Sequence, residues 1–358
     1  MSLSKATERS DRVVVDGHED IAFNAVGGRD FLKSTFEKRR LEGADTRRGA
    51  AIVGLPELLE GNVKVVFATI WVAPCSDPDF SRHGVPCYST PEQAYEQAKG
   101  QLEYYLKLTA DPRIRLVETR KDLDFVLDPS ETRIGLVLLM EGADPVLTPR
   151  QAGEWFDAGV RIIAPAWHGT RYAGGTSVPG PLTSLGRELM VEMKRAGLIL
   201  DVSHLAEASF FEALQLFDGP VLASHSNCRT YVPTDRQLSD AMIQELVKRD
   251  AVIGVVLYNK FLRSDWKKGE NAKSQVTLLD VVRHMRHMWT LAGDSLHVGI
   301  GSDFDGGFGA ESIPAELDTV ADLQKLGQTL KSEHVTEVDV KNILGENWVR
   351  FLRNALPQ

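Results

Sequence analysis

The sequence predicts an α/β protein folded as one closed parallel barrel of the (β/α)8, TIM type, a single domain spanning residues 1–358. Three observations carry this expectation. Apolar, β-branched runs recur eight times, at 13–20, 63–71, 134–141, 161–168, 198–204, 220–225, 251–258 and 296–303. Segments of helical period separate them, and such alternation builds a parallel sheet covered by helices. Polar residues gather at the ends of many of these runs, which suits a closed barrel better than an open sheet with one crevice. A chain of 358 residues is long for one domain, yet barrels of this class commonly reach that size.

Taken in order, the first run ends Asp16-Gly17-His18-Glu19-Asp20, which sets His18 and Asp20 two apart on one face. The second is followed by a stretch rich in Pro, Ser and Gly at 72–91, expected as a long loop, either a binding wall or an irregular excursion. A helix is expected over Pro91 to Leu106. The third run ends at Glu141, a carboxylate costly to bury unless it is paired or coordinated to metal. The fourth ends Trp167-His168, and a helix follows over Leu185 to Arg195. Runs five and six stop at His204 and His225, with a helical segment from Ala206 to Phe217 and the turn pair Asp218-Gly219 between them. That is a strand–helix–strand unit, and it brings both imidazoles to the carboxyl ends of neighbouring parallel strands. Ser239 caps a helix to Lys248, and another runs from Leu278 to Leu291. The eighth run ends Gly301-Ser302-Asp303-Phe304-Asp305-Gly306; a last helix, about 336–353, opens on an approximate capping box at Thr336.

Composition excludes several functions. A net charge of -9 argues against a nucleic-acid surface, because phosphate binding wants a basic face. No apolar run approaches the roughly eighteen residues of a membrane span. The polar amino-terminal segment and the carboxyl end lack signal-peptide and lipid-anchor patterns, so a cytoplasmic location is expected. Three cysteines, Cys75, Cys87 and Cys228, are an odd number without metal-ligand spacing, and no disulfide framework is expected.

His18, Asp20, Glu141, His204 and His225 supply three imidazoles and two carboxylates from the ends of four strands, with Asp303 and His168 in reserve. Two metal ions need about this many ligands when one carboxylate bridges them and positions stay open for water. Asp16, Asp201 and Asp305 either orient ligand histidines or serve as plain turn residues. The other histidines, His83, His284, His287, His297 and His334, are read as structural or surface groups.

The pieces DGHED at 16–20, EGAD at 141–144, LILDVSHL at 198–205, ASHS at 223–226, GIGSDFDG at 299–306 and GENWVRFL at 345–352 resemble, in order, those of the renal or membrane dipeptidases. These are zinc peptidases of the amidohydrolase superfamily, (β/α)8 barrels of the metal-dependent hydrolase type and often homodimers. The resemblance implies two zinc ions per chain, one on His18 and Asp20, the other on His204 and His225, with Glu141 bridging. It implies a dipeptide substrate, one with a carboxyl-terminal D-residue included, hydrolysed by a metal-bridging hydroxide. By the same resemblance His168 contacts the substrate and steadies the tetrahedral intermediate. Asp303 lies beside the bridging water, as proton carrier or as anchor for the substrate's ammonium, and Arg236 receives the substrate's carboxylate. The sequence departs from the family at Trp167-His168, where Thr-His is common, and at Arg236-Gln237, where Arg-Asn is common; both changes fall near the substrate. The rival readings are another amidohydrolase reaction, such as lactone or N-acyl amino acid hydrolysis, and a metal-binding protein without turnover. Arg236 speaks for a substrate with a free carboxylate, and retention of all five ligand-type residues with Asp303 speaks for turnover.

Overall fold

The structure is a computed structural model that describes residues 12–42, 48–77 and 85–358. All eight apolar runs form strands: β1 (Val14–Glu19), β2 (Val63–Trp71), β3 (Ile134–Glu141), β4 (Val160–Ala164), β5 (Ile199–Asp201), β6 (Val221–Leu222), β7 (Ile253–Val255) and β8 (Val298–Ile300). They pair in parallel in chain order from β1 to β6, while β8 pairs with both β7 and β1. The ring closes where Ala223, just past β6, bridges Ile253 of β7, with Gly254 N–H donating to the Ala223 carbonyl at 2.8 Å. A short strand at Ile114–Leu116, absent from the sequence expectation, adds to the amino-terminal edge of β3.

Alternation along the strands sorts residues into two packed groups. Val15, Phe67, Leu139, Ile162 and Ile199 belong to an inner cluster, while their neighbours Val14, Val66, Leu138, Ile163 and Leu200 join the outer cluster against the helices. The period of two in a strand is the cause. The inner cluster also takes Trp348, Phe351 and Leu352 from the carboxyl-terminal helix. Trp348 donates from its indole to the Ile300 carbonyl at 2.9 Å, and it lies so close to β8 that a Cβ at Gly299 would come within 2.4 Å of its Nε1.

The strands are shorter than several of the runs. Run 198–204 ends its ladder at Asp201 and run 161–168 at Ala164, so His204 and His168 lie past the strands. Once off the ladder the backbone can turn over the barrel mouth, and that is where barrels keep their working groups.

Helices form close to the expected places, at Pro91–Leu108, Ser184–Ala196, Glu207–Leu216, Asp240–Lys248 and Leu278–Ala292. Thr90 and Thr277 make capping boxes with Gln93 and Asp280, and Ser239 caps with its side chain. The expected final helix is interrupted: Glu337–Lys341 is α-helical, Asn342–Glu346 winds as a π turn, and Asn347–Ala355 resumes. Asn347 reaches the carbonyls of Ser295 and Val298 at 2.7 and 2.8 Å directly after the wide turn. Such bulges occur where a helix must re-aim side chains.

Two further findings correct the sequence expectation. Cys75 and Cys87 form a disulfide, Cα atoms 5.0 Å apart, and only Cys228 is free among the three. An odd count forbids complete pairing but not one local bond. The stretch 72–91 is also not all irregular: Ala73–Pro74 and Cys87–Tyr88 pair as a small ribbon beside the disulfide. His83 lies outside the described residues. Among the described residues no helix is long and apolar enough to cross a membrane.

Candidate metal centre

Six side chains meet over the carboxyl ends of the strands: His18, Asp20, Glu141, His204, His225 and Asp303. None is more than 9% exposed. Ligand atoms of His18, Asp20 and Glu141 lie within 4.8 Å of one another, as do those of Glu141, His204 and His225, and of His18, His225 and Asp303. Glu141 stands in the middle. Its Oε2 is 3.5 Å from His18 Nε2, while its Oε1 is 2.9 Å from His204 Nε2 and 3.2 Å from His225 Nε2.

The backbone that presents these groups is held by a layer of acids and hydroxyls. Asp201 accepts from the backbone N–H of Ser203 and Ser224, both at 3.0 Å, and from their hydroxyls at 2.6 and 2.5 Å, locking together the turns that carry His204 and His225. Because the Ser224 hydroxyl gives its proton to Asp201, its oxygen is left to accept from Nδ1 of His225 at 2.8 Å and of His18 at 3.2 Å. Thr176, on an antiparallel hairpin of Ala173–Gly175 and Val178–Leu182 that the sequence reading did not anticipate, bonds Nδ1 of His204 at 2.9 Å. Thr69 donates to Asp20 at 2.5 Å. Asp16 holds the backbone N–H of Ser302 at 2.7 Å, and Asp305 holds Ile52 N–H at 2.9 Å and Arg29 at 3.1 Å. Of the three acids left open by the sequence, Asp201 therefore orients histidines through Ser224, and Asp16 and Asp305 fix loop backbone.

These bonds set the tautomers. With Nδ1–H donated to Ser224, the His18 and His225 imidazoles each point an Nε2 lone pair at the centre. His204 Nε2 and His225 Nε2 lie 2.9 Å apart, and His18 Nε2 is buried without a hydrogen-bond partner. Lone pairs converging at this distance call for a positive charge among them, and the nitrogen and oxygen donor set suits a borderline divalent cation such as zinc.

Electrostatics agree. Burial opposes charge on His18, yet the adjacent Glu141 carboxylate pushes its pKa up to about 9. Burial likewise opposes charge on Glu141, but His18, with His204 and His225 also against the carboxylate, holds it well below the ordinary range. Burial, then Glu141, pushes Asp20 up to about 6, and burial drives Asp303 well above the usual carboxylate range. Burial, then Arg236, lowers His204 to about 4; burial with His18 and Arg236 takes His225 well down. Three acids and three imidazoles are thus crowded together out of water, and bound cations relieve that crowding.

The loop after β8 holds Asp303 and Asp305 in left-handed backbone, φ 61° and 63°. Asp303 N–H donates to the His18 carbonyl at 3.1 Å. Gly306 closes the turn, and a Cβ there would come 2.2 Å from Asp303 Oδ1 and 2.9 Å from Asp20 Oδ2. Strained non-glycine backbone of this kind concentrates where a side chain must be aimed.

The remaining sequence candidates lie at the rim. His168, half-buried past β4, lines a cavity that reaches Glu141. Arg236 is buried behind the two histidine turns, donating to the Ser203 carbonyl at 3.0 Å and the His225 carbonyl at 2.6 Å, while its Nε has no hydrogen-bond partner. Among the other histidines, His284 and His297 bond backbone in the interior, His287 pairs with Asp240 and His334 is exposed. Sequence reasoning passed over Ser224, Ser203, Thr176 and Thr69. The repeated Ser-His pairs at 203–204 and 224–225 were the available signal for two of them.

Comparison with known proteins agrees with this picture. The sequence model of the family described as membrane dipeptidase, peptidase family M19, matches residues 7–356. Dipeptidase verJ from Clonostachys rogersoniana is 28% identical over 364 residues, 98% of this chain and 86% of that protein. An uncharacterized protein in the pqqA 5′ region of Klebsiella pneumoniae is 32% identical over 218 residues, 58% of this chain and 77% of that protein. A metallopeptidase from Rhodobacter sphaeroides, crystallised with a phosphinate mimic of the dipeptide L-Ala-D-Ala, superposes with a TM-score of 0.79 at 25% identity, covering 96% of this chain and all 100% of that one.

Proposed function

The chain belongs to the membrane dipeptidase family, peptidase family M19, and from that premise we propose that it is a binuclear zinc dipeptidase that also accepts a carboxyl-terminal D-residue. One observation carries the reading: Glu141 turns one carboxylate oxygen to His18 and the other to the His204–His225 pair. His18 and Asp20 would hold one ion, His204 and His225 the other, and Glu141 both. Two such ions lower the pKa of water toward neutrality and polarise a carbonyl.

The chain's own groups do the rest. His168, on the cavity that reaches Glu141, donates to the oxyanion as the scissile carbon becomes tetrahedral, a charge-stabilising role set in place before reaction. Asp303 takes the proton released by water and passes it to the leaving amine. The free Nε edge of Arg236 meets the substrate carboxylate. The bound dipeptide mimic in the Rhodobacter sphaeroides relative supports this substrate class. We read the chain as one barrel domain acting within a homodimer.

A second reading has one observation behind it. Two of the three Arg236 nitrogens already bond carbonyls of the histidine turns, as an arginine that braces the site would. In that case the substrate needs no free carboxylate, and lactones become candidates. Zinc-loaded protein assayed on a dipeptide, its carboxyl-terminal amide, an N-acyl amino acid and a lactone separates the two. The dipeptide should be cleaved at least tenfold faster than its amide; equal rates, or preference for the lactone, would overturn the dipeptidase reading.

A further inference from the structure

The cavity that reaches Glu141 is walled on one side by Trp167 and on the other by Val72, Pro74 and Tyr88, with His168 at its edge. Both walls are stiff. The Trp167 ring packs edge-on against Trp71 at 5.1 Å, and Trp71 packs edge-on against Phe23 at 4.6 Å, so the indole is backed by a row of aromatics. The His168 and His204 rings lie 6.0 and 6.1 Å from it. Opposite, Pro74 and Tyr88 flank the disulfide, and the Tyr88 hydroxyl donates to Asp144 at 2.6 Å, which in turn accepts from Arg171 N–H at 3.0 Å. Space between the walls, open mouth included, is about 230 Å³. Part of that is open solvent, and what remains suits a short side chain.

We propose that Trp167 sets the size of the substrate's amino-side residue, restricting it to small side chains. The direction follows from placement and rests on the dipeptidase reading. Arg236 braces the turns after β5 and β6, the cavity opens among the segments after β2, β3 and β4, and Glu141 lies between. A dipeptide with its carboxylate toward Arg236 and its scissile carbonyl at Glu141 must carry its amino-side residue into the cavity. There it meets the Trp167 indole, itself backed by Trp71.

The test uses the full-length, zinc-loaded chain and two dipeptide series. One fixes alanine at the carboxyl side and varies the amino side through glycine, alanine, leucine and phenylalanine; the other does the reverse. Wild type should lose at least tenfold in kcat/KM from alanine to leucine or phenylalanine in the first series. Trp167→Thr should recover most of that loss with metal content unchanged, and Trp167→Phe, which keeps a ring against Trp71, should keep the wild-type ordering. An unchanged amino-side profile in Trp167→Thr, or a change confined to the carboxyl-side series, overturns the role of Trp167 and leaves the dipeptidase reading standing. If wild type cleaves no member of either series, that reading falls and the inference with it.

Discussion

At the scale of single residues, Glu141 and His168 touch the same cavity but answer to different measurements. Glu141 shares its two oxygens between the two histidine groups, so Glu141→Gln should lower the metal content of both sites together, read by elemental analysis after gentle purification. His168 is not among the grouped ligand atoms, so His168→Ala should keep its metal while turnover falls about a hundredfold, about 2.7 kcal/mol of transition-state stabilisation. Loss of metal in that variant would make His168 a ligand. Ser224 is the residue on which the tautomers of His18 and His225 both depend. Ser224→Ala should weaken metal binding by roughly ten- to a hundredfold in chelator competition while the chain stays folded; unchanged affinity would show that Asp201 acts only on the backbone. The five ligand candidates were legible because they stand at the ends of four apolar runs in the sequence. The hydroxyls were not: serine and threonine are frequent at turns for local reasons, and nothing in a linear pattern tells a turn hydroxyl from one that reaches across strands.

At the scale of elements, the ribbon of Ala73–Pro74 and Cys87–Tyr88 is where the sequence reading and the structure part most clearly. A stretch without hydrophobic period reads as a loop, whereas here a disulfide between cysteines 12 apart holds two short segments in register. Closing a loop of that length restricts the unfolded chain by about 3 kcal/mol. Because Pro74 and Tyr88 wall the cavity and neither belongs to the ligand cluster, Cys75→Ser with Cys87→Ser should raise KM for dipeptides several-fold and leave metal content unchanged. Steady-state kinetics with metal analysis checks this, and unchanged KM would remove the ribbon from substrate binding. The final helix teaches a similar lesson. Thr336 caps it as its sequence suggests, but the π turn at Asn342–Glu346 answers to the demand that Asn347 and Trp348 both reach β8, a demand that only the packed partner imposes.

At the scale of the whole molecule, the barrel interior and the metal layer form one stack. Trp348 fills space against β8, and a Cβ on Gly17, the residue before His18, would come within 2.8 Å of its ring. Trp348→Ala should therefore cost about 3–5 kcal/mol in chemical denaturation of the full chain. The same variant should bind metal less tightly, since the cavity lies directly against β1. A large loss of stability with unaltered metal affinity would separate the packed interior from the site above it.

The sequence by itself determined the eight strands, the parallel barrel they close, and the five ligand-type residues with Asp303, because apolar period and abrupt polar termination are written locally along each strand. Tertiary structure alone decided that Glu141 faces two groups at once, that Ser224 sets imidazole tautomers and Thr176 meets His204, that Arg236 braces the histidine turns, and that Trp167 and the disulfide ribbon line one cavity. Each of those facts joins segments far apart in the chain, and only the closing of the barrel brings them within a hydrogen bond or a ring's width of one another.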